Sequence, residues 1–434
     1  MDMTGLGLMI GVGGVLLLAA RMPIGFILLL LGFAGVLVVR GADAAFTLMG
    51  HRTFSVNRSY ELSVVPLFVL MGHLTFAAGI GSELFVTARA WLGHIRGGLV
   101  MATVMASAAF GACCGSTTAA TGVFARVAVP EMLRTGVQPR LAYGTVAAAG
   151  TLSAMIPPSV LMVIYGILAQ QSIAELLIAG IIPGVLTAIM YCLMIWVRVK
   201  VDPNLAPSVP RASLEERLRS ARGVWGVTAL FLLVIGGIGT GWFTPSEAGA
   251  VGASGAFLIV LLKRSLTLTV LKESFLETAR TTAVIFICVT GALIFTVFLA
   301  FAGIAAEVTA FVAGLPVAPV VIVIGTLIMF LALGSIVDPV SGMMLTMPVV
   351  MPFLRTLGVD QIWYGVLIVK AAEMGQLTPP VGLNVFMVSS VLPEARSGEV
   401  FRGVAWYLVV ETVTMGLLIA LPRISLWLPQ LMFH

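Results

Sequence analysis

The segment GTLSAMIPPS at residues 150–159 contains two adjacent prolines inside an otherwise apolar stretch. A second segment, QLTPPVGLN at residues 376–384, has the same arrangement. Proline removes a backbone N–H donor and disfavours helix at the residue before it, so each pair predicts a break inside a helix. The carbonyl groups that such a break leaves free must find other partners. These two breaks are the features from which we predict the fold.

The whole chain is too apolar and too weakly charged to be a soluble protein. Of its 434 residues, 59% are hydrophobic and 10% are charged, whereas about a quarter of the residues in a soluble domain are charged. The 24 basic and 19 acidic residues cannot coat a globule of this size. The composition therefore excludes a cytosolic enzyme and a disordered chain, and it predicts an all-α polytopic membrane protein.

Ten apolar stretches are candidates for crossing helices, because a bilayer requires roughly 20 residues. They are 5–20, 24–39, 62–80, 141–168, 173–197, 224–241, 247–262, 279–301, 362–392 and 404–421. Two other regions, 97–130 and 316–353, each have two short apolar arms around a polar, glycine-rich tip. We predict that both are re-entrant hairpins, since polar backbone at membrane depth is tolerated only inside protein or beside a water-filled cavity.

Basic residues indicate the orientation, because cytoplasmic loops carry an excess of lysine and arginine. The loop 198–222 contains six basic residues and is predicted to be cytoplasmic. Ten crossings then place both termini on the outer side. The segment 40–58 does not follow the rule, since Arg40, Arg52 and Arg58 fall on the predicted outer side. An interfacial amphipathic helix is one explanation for it.

The two halves of the chain resemble each other. An offset of 222 residues aligns Pro157-Pro158 with Pro379-Pro380 and Pro130 with Pro352. The first hairpin is predicted to open inward and the second outward, so the halves form inverted-topology repeats, a transporter plan with its site near the midplane. The alternative is that glycine and proline recur by chance in any membrane chain.

The hairpin tips and the proline breaks combine interrupted backbone with oxygen ligands, which sodium, as a hard cation, prefers. Half-helix N-termini at such breaks also attract anions. The candidate sodium and substrate residues of the first half are Gly115, Ser116, Thr117, Thr118, Gly150, Thr151, Ser153, Pro157 and Pro158. Those of the second half are Gly334, Ser335, Asp338, Gly375, Thr378, Pro379, Pro380, Gly382 and Asn384. The alternative for each segment is a proline kink packed by small residues, without a ligand.

Ionisable residues within apolar segments are costly and call for a reason. Lys370 and Glu373 share a helix face and are predicted to pair, with a structural and a functional role both open. Asp338 is either a sodium ligand or a helix cap. Glu411 is predicted to pair at a helix interface, and Glu247 to cap a helix.

Two basic side chains in apolar segments have structural rather than functional explanations. We expect Arg126 to extend to the cytoplasmic surface. We expect His73 to be a hydrogen-bonded core residue. The sequence contains no His/Cys cluster with metal spacing, no Walker loop and no Gly-x-Ser-x-Gly elbow, so we predict that the chain is not an enzyme and binds no transition metal.

These motifs resemble a known family, the large membrane subunit of tripartite ATP-independent periplasmic (TRAP) transporters, the DctM type. The matching segments are PLFVLMG at 66–72, GSTTA at 115–119, IPPS at 156–159, FTPSEA at 243–248 and LTPPVGLN at 377–384. Two departures are mild. Thr117 stands where the family usually has serine, and an asparagine common ahead of the second break is absent, with Lys370-Ala371-Ala372 in its place.

The resemblance implies sodium-driven secondary active import of an organic anion, with sodium ions as the coupling ions and no other cofactor. It implies a bacterial inner-membrane location, where the outer side on which the ten crossings place both termini is the periplasm. It also implies a separate small four-helix membrane subunit and a soluble periplasmic substrate-binding protein. It also implies an elevator mechanism, in which a transport domain moves against a scaffold. Sodium is expected between each hairpin tip and its broken helix, and the substrate between the tips.

The corresponding domain prediction has five parts. They are scaffold or arm helices at 1–61, a first transport half at 62–197, a cytoplasmic linker at 198–222, further scaffold or arm helices at 223–278, and a second transport half at 279–434. Two other functions stay open: a stand-alone carboxylate or ion transporter of similar fold without a binding protein, and a passive channel. The sequence does not identify the carboxylate.

Overall fold

The computed structural model describes residues 12–14, 16–18 and 20–433, and in that part of the chain every regular element is a helix. This confirms the all-α prediction. The predicted span 5–20 lies partly outside the described residues.

The helices of the first half are, in chain order, Ile24–Arg40, Ala42–Arg58, Val64–Ala77, Ile80–Leu92, Gly98–Cys114, Thr117–Arg134, Pro139–Met155, Val160–Ala169, Ile173–Ala179 and Ile181–Val201. A linker with the short helix Leu214–Ala221 leads to the second half. Its helices are Trp225–Gly239, Pro245–Leu262, Leu268–Phe301, Ile304–Ala313, Pro319–Gly334, Pro339–Thr356, Gln361–Gly375, Leu383–Val391, Ser397–Ala420 and Arg423–Phe433. Single 3₁₀ turns lie at Glu61–Ser63, Pro203–Leu205 and Arg222–Val224.

Four helix pairs surround the candidate site. We call Gly98–Cys114 with Thr117–Arg134 the first hairpin, and Pro319–Gly334 with Pro339–Thr356 the second hairpin. The first broken helix is Pro139–Met155 with Val160–Ala169. The second broken helix is Gln361–Gly375 with Leu383–Val391. Helices and breaks therefore lie where the proline pairs and the polar tips predict them.

By length and composition, five described helices can cross a membrane, and two pairs bent at a short break raise the number to seven. One bent pair is Ala42–Arg58 with Glu61–Ala77, at 59°, and the other is the first broken helix, at 43°. Some stretches among the ten predicted crossings form short helices, such as Ile24–Arg40 with 17 residues. The total of ten crossings stays a prediction.

Several helix boundaries differ from the predicted spans. Leu268–Phe301 has 34 residues and starts well before the predicted span 279–301, because Thr267 caps it by accepting a hydrogen bond from the Val270 N–H at 3.1 Å. The predicted span 173–197 is two helices that meet at Gly180. Ile80–Leu92 and Ile304–Ala313, which no predicted span included, each follow a glycine with a left-handed φ.

Two helices pack closely because glycines on one of them leave room for the backbone and rings of the other. Ile24–Arg40 packs along Leu268–Phe301, and a Cβ atom added to Gly32 would lie 2.8 Å from the backbone nitrogen of Phe295. A Cβ atom on Gly35 would lie 2.2 Å from the Phe298 ring. Small residues permit this backbone approach in membranes, where packing rather than water exclusion drives association.

The broken helices lie at the centre of the molecule. Every residue from Leu141 to Met155 is buried, and so is every residue from Ile362 to Gly375. The helix Ser397–Ala420 packs on the first broken helix where Gly403 meets Gly144. Apart from buried hydroxyl groups and the Lys370 and Glu373 side chains, the residues of both segments are apolar, aromatic or small, as this burial requires.

Candidate functional site

The first hairpin turns sharply at its tip. Gly115 ends the first arm with φ +61°, a left-handed conformation that favours glycine. Ser116 then caps the second arm, and its hydroxyl accepts a hydrogen bond from the Ala119 N–H at 3.4 Å. A Cβ atom on Gly115 would lie 2.7 Å from the Pro158 carbonyl oxygen, so the tip touches the first proline break directly.

The first broken helix packs against the first hairpin through small residues. The Ser107 hydroxyl donates to the Ala149 carbonyl at 2.9 Å, and a Cβ atom on Gly111 would lie 2.8 Å from the Ser153 hydroxyl oxygen. The helix ends before Pro157-Pro158, whose peptide bond is cis. It resumes after Ser159, which caps the second segment by accepting from the Met162 N–H.

The second hairpin tip caps its own return arm and binds the second break. The Asp338 carboxylate accepts a hydrogen bond from the Ser341 N–H at 3.0 Å, which is the capping contact considered above. Whether Asp338 also binds sodium stays a prediction. The Ser335 carbonyl oxygen accepts hydrogen bonds from the Val381 and Gly382 N–H groups at 3.1 and 3.3 Å.

The second broken helix is interrupted by Pro379-Pro380, also cis, and by Gly382 with φ +59°. Its first segment ends at Gly375, where an added Cβ atom would lie 2.8 Å from the Gly334 carbonyl carbon. The Thr378 hydroxyl donates to the Met374 carbonyl at 2.7 Å. Each hairpin tip is therefore packed on its own break.

Direct hydrogen bonds also join the two halves. The Thr117 hydroxyl donates to the side-chain oxygen of Gln376 at 2.5 Å. The Asn384 amide donates to the Ala147 carbonyl at 3.2 Å. Gln376 was not among the sequence candidates, although an amide two residues ahead of a Thr-Pro-Pro break in an apolar segment is a detectable signal.

A cavity of about 530 Å³ opens beside both tips. Its lining combines the first tip, from Cys114 to Ala119, with Asp338 of the second tip and with Gln376. Arg126 and His73 also line it. His73 is half-buried beside the cavity rather than in the packed core, which corrects the expectation for that residue. Arg126 is exposed on the return arm of the first hairpin, and its extension to the cytoplasmic surface stays a prediction.

Other candidates lie behind this lining, in the packed interior. Thr151, Ser153 and Asn384 are fully buried. Gly150 lies against the Thr121 side chain, since an added Cβ atom would be 1.9 Å from the Thr121 hydroxyl oxygen. Among the described residues, Thr121 Oγ1, Ser153 Oγ and Asn384 Oδ1 are buried and have no hydrogen-bond partner.

The predicted ion pair belongs to a larger buried cluster. Lys370 Nζ lies 3.0 Å from Glu373 Oε2, 2.6 Å from Glu411 Oε2 and 2.9 Å from the Thr187 hydroxyl. The Tyr191 hydroxyl donates to Glu411. The pairing predictions for Lys370, Glu373 and Glu411 are thus confirmed. Outside this cluster, Glu247 and Thr244 form a capping box, as expected of Glu247.

Metal-binding clusters of three or more His, Cys, Asp or Glu side chains do not occur in the part of the chain that the structure describes. The oxygens gathered at the breaks are hydroxyls, amides and backbone carbonyls. Such groups suit a hard monovalent cation rather than a transition metal.

Residues 12–424 match the family model described as "Tripartite ATP-independent periplasmic transporter, DctM component". The chain belongs to this family. Its members are transporter permeases rather than enzymes, and several apolar helices here agree with a multi-pass membrane protein. The resemblance stated from the motifs is therefore confirmed.

Curated TRAP relatives match over nearly their full length. The C4-dicarboxylate TRAP transporter large permease protein DctM of Pseudomonas aeruginosa is 32% identical, over 87% of this chain and 88% of that protein. The sialic acid TRAP transporter large permease protein SiaM of Vibrio cholerae is 31% identical over 96% of both. The ectoine/5-hydroxyectoine TRAP transporter large permease protein UehC of Ruegeria pomeroyi is 30% identical over 96% and 97%.

Solved structures with a similar fold are also membrane transporters. The YdaH transporter of Alcanivorax borkumensis superimposes with a TM-score of 0.60 at 16% identity, over 90% of both chains. MtrF of Neisseria gonorrhoeae gives a TM-score of 0.58 at 14% identity, over 90% of this chain and 85% of that one. At these identities the likeness concerns the fold alone.

Proposed function

We propose that this chain is the large permease subunit of a sodium-coupled secondary active importer, and that it takes up an organic anion delivered by a periplasmic binding protein. One observation supports this proposal most. Each hairpin tip packs on its proline break beside one cavity, and buried oxygens lie behind the lining of that cavity. Transporters built from inverted repeats bind substrate and ions at such discontinuous helices.

Sodium would supply the missing partner of two buried oxygens near the first break. A buried polar group without a hydrogen bond costs about 1–3 kcal/mol, and Ser153 Oγ and Thr121 Oγ1 are such groups among the described residues. Both lie where the first hairpin packs on the first broken helix: Ser153 against Gly111, and Thr121 against Gly150, which also adjoins the Thr117 carbonyl oxygen. A sodium ion there would be bound by these hydroxyls and by carbonyl groups near the break.

The second half offers equivalent ligands. Asn384 Oδ1 is buried without a hydrogen-bond partner among the described residues, and Thr378 lies six residues earlier, in the same break. At the second tip, the Ser335 carbonyl oxygen already accepts hydrogen bonds from the Val381 and Gly382 N–H groups of the break. We assign a second sodium ion to Thr378, Asn384 and carbonyl groups between the second tip and the second break.

The substrate would occupy the cavity between the tips. Ser116, Thr117 and Thr118 line it at the N-terminus of a helix of 18 residues, where unpaired N–H groups and the hydroxyls of Ser116 and Thr118 favour a carboxylate, the Thr117 hydroxyl being bonded to Gln376. Relatives are named for C4-dicarboxylates and for sialic acid. We therefore propose a carboxylate as the transported solute.

The proposal includes the movement, the partners and the location. Residues 62–197 and 279–434 would form a transport domain that moves as an elevator against scaffold helices in 1–61 and 223–278, with 198–222 as a cytoplasmic linker. A separate small four-helix membrane subunit and the binding protein would complete the complex. It would lie in the bacterial inner membrane with both termini in the periplasm.

Uptake by the reconstituted complex tests sodium coupling. The solute would first be identified as the ligand that copurifies with the cognate binding protein. Uptake into proteoliposomes is expected to require sodium outside, because the ion gradient drives a secondary transporter. We expect uptake to stop when choline replaces sodium. Equal uptake in choline and sodium would contradict the coupling.

A further inference from the structure

Gln376 makes contacts at both of the breaks to which a sodium ion is assigned. Its side-chain oxygen accepts the hydrogen bond that the Thr117 hydroxyl donates at 2.5 Å, and Thr117 begins the return arm of the first hairpin. Its backbone carbonyl accepts a hydrogen bond from the Asn384 N–H at 3.2 Å, on the far side of the second proline break. One residue therefore connects the first hairpin tip with the second break.

Thr117 extends this connection to the first ion site. A Cβ atom added to Gly150 would lie 1.9 Å from the Thr121 hydroxyl oxygen and 3.1 Å from the Thr117 carbonyl oxygen. The three residues thus adjoin one another, and Thr121 carries one of the buried oxygens assigned to the first sodium ion. A movement of the helix start at Thr117 would therefore change the space in which that ion is bound.

The Gln376 side chain is itself no sodium ligand in this arrangement. Its oxygen is bonded to Thr117, and its nitrogen is a donor, which does not bind a cation. That nitrogen is buried and has no hydrogen-bond partner among the described residues. Because an unpaired buried donor is unfavourable, an apolar side chain of similar length would fill this position at lower cost. The bond to Thr117 is the contact that an apolar side chain could not make.

The bond between Thr117 and Gln376 is shielded from water. Thr117 is 9% exposed and Gln376 is fully buried, and a hydrogen bond is stronger in such a low-dielectric environment. Asn384 forms a second link, since its amide donates to the Ala147 carbonyl of the first broken helix at 3.2 Å. Its side-chain oxygen is an assigned sodium ligand, however, so a substitution there would remove the ion site itself. A substitution at Gln376 removes only the link.

We propose that the hydrogen bond between Thr117 and Gln376 couples the two sodium sites, so that an ion bound at one break raises the affinity of the other break for its ion. This rests on the proposed function, because it assumes one sodium ion at each break. Gln376 is then a positioning residue, which acts through the hairpin tip and the break. The coupling is reciprocal: each ion must change the affinity for the other by the same factor.

Equilibrium binding of radioactive sodium to the purified permease complex measures this factor. Choline replaces sodium, so that the ionic strength stays constant. The wild type is expected to bind two ions per chain, and the first ion should raise the affinity for the second about tenfold. Gln376→Met and Thr117→Val each remove the hydrogen bond at nearly constant side-chain size. Each should lower the factor to about one while two ions still bind, whereas Thr117→Ser keeps a hydroxyl and should keep the coupling.

Two further variants separate this link from a general loosening of the protein. The variant with both Gln376→Met and Thr117→Val should bind sodium like either single variant, because the same bond is lost. Tyr165→Phe is the matched control. The Tyr165 hydroxyl donates to the Gln361 carbonyl at 2.6 Å and also joins the two halves, but at the opposite end of the helix Gln361–Gly375. Its loss should leave the tenfold factor unchanged.

A factor of about one in the wild type would overturn the proposal. An unchanged factor in Gln376→Met would do so too, and so would a lost factor in Tyr165→Phe. With two ions still bound, each of these results leaves the proposed sodium sites intact. Absence of sodium binding to the wild type would instead reject the proposed sodium coupling of transport together with the link between the sites.

Discussion

Ser153 shows how much a single residue contributes to the sodium hypothesis. Its hydroxyl is fully buried, lies against Gly111 of the first hairpin and has no hydrogen-bond partner among the described residues. If sodium supplies the missing partner, Ser153→Ala removes a ligand. We expect the sodium concentration for half-maximal uptake to rise about tenfold or more, whereas folding should change little because no protein hydrogen bond is lost.

Ser107→Ala is the matched control for this substitution. Ser107 lies in the same interface, but its hydroxyl donates to the Ala149 carbonyl at 2.9 Å. Its removal should cost about 1 kcal/mol of stability and leave the sodium dependence of uptake unchanged. Sodium titrations of uptake, with thermal unfolding in detergent, compare the two. Identical sodium curves for Ser153→Ala and the wild type would reject Ser153 as a ligand.

Individual side chains were only partly predictable from sequence. The hydroxyls of the first tip were identified because they follow a glycine inside an apolar region, and they do line the cavity. Thr121 and Gln376 were missed, because their importance comes from contacts with Gly150 and Thr117 on other elements. The place of Arg126 in the cavity lining was not predicted either, since the sequence does not show which helices enclose a cavity.

A substitution at Gly403 tests how closely two helices pack. It lies in Ser397–Ala420 against the first broken helix, and an added Cβ atom would be 2.1 Å from the Arg140 carbonyl oxygen. Backbone atoms cannot move aside as a flexible side chain can. Gly403→Ala should therefore push the two helices apart and destabilise the protein by about 1–3 kcal/mol, measured as a lower thermal unfolding temperature.

Gly416 in the same helix provides the comparison. An alanine Cβ atom there would have no neighbour within 4 Å. Gly416→Ala should be neutral or stabilising by up to about 1 kcal/mol, because alanine loses less backbone entropy in a helix. Equal unfolding temperatures for the two variants would show that the contact between Gly403 and Gly144 is looser than described.

The sequence predicts where helices lie and break better than it predicts the residues at which they begin and end. Both proline pairs break a helix, because a missing N–H and a clash with the preceding residue act locally. The start of Leu268–Phe301 was missed because hydropathy locates an apolar segment but not a polar extension of the same helix. Gly79 and Gly303 begin short helices in both halves with left-handed φ values of 69° and 71°. Such turns depend on single residues.

The whole molecule is proposed to have inverted halves, and its orientation follows from a few loops. Ser208 lies in the linker 198–222, predicted to be cytoplasmic, and is exposed. Thr240 follows the helix Trp225–Gly239, so it is predicted to lie on the periplasmic side of that crossing, and it is exposed as well. Both positions lie outside the packed interior, so a cysteine should be tolerated at either one.

Labelling of single cysteines with a membrane-impermeant maleimide measures this orientation. The parent would lack the natural Cys113, Cys114, Cys192 and Cys288. Thr240→Cys should react in cells whose outer membrane alone has been made permeable. Ser208→Cys should react only after the inner membrane is opened, because the six basic residues of its loop predict a cytoplasmic location. Early labelling at both positions would mean that Trp225–Gly239 does not cross. The inverted relation of the halves would then be lost, since one crossing fewer turns the second hairpin to the same side as the first.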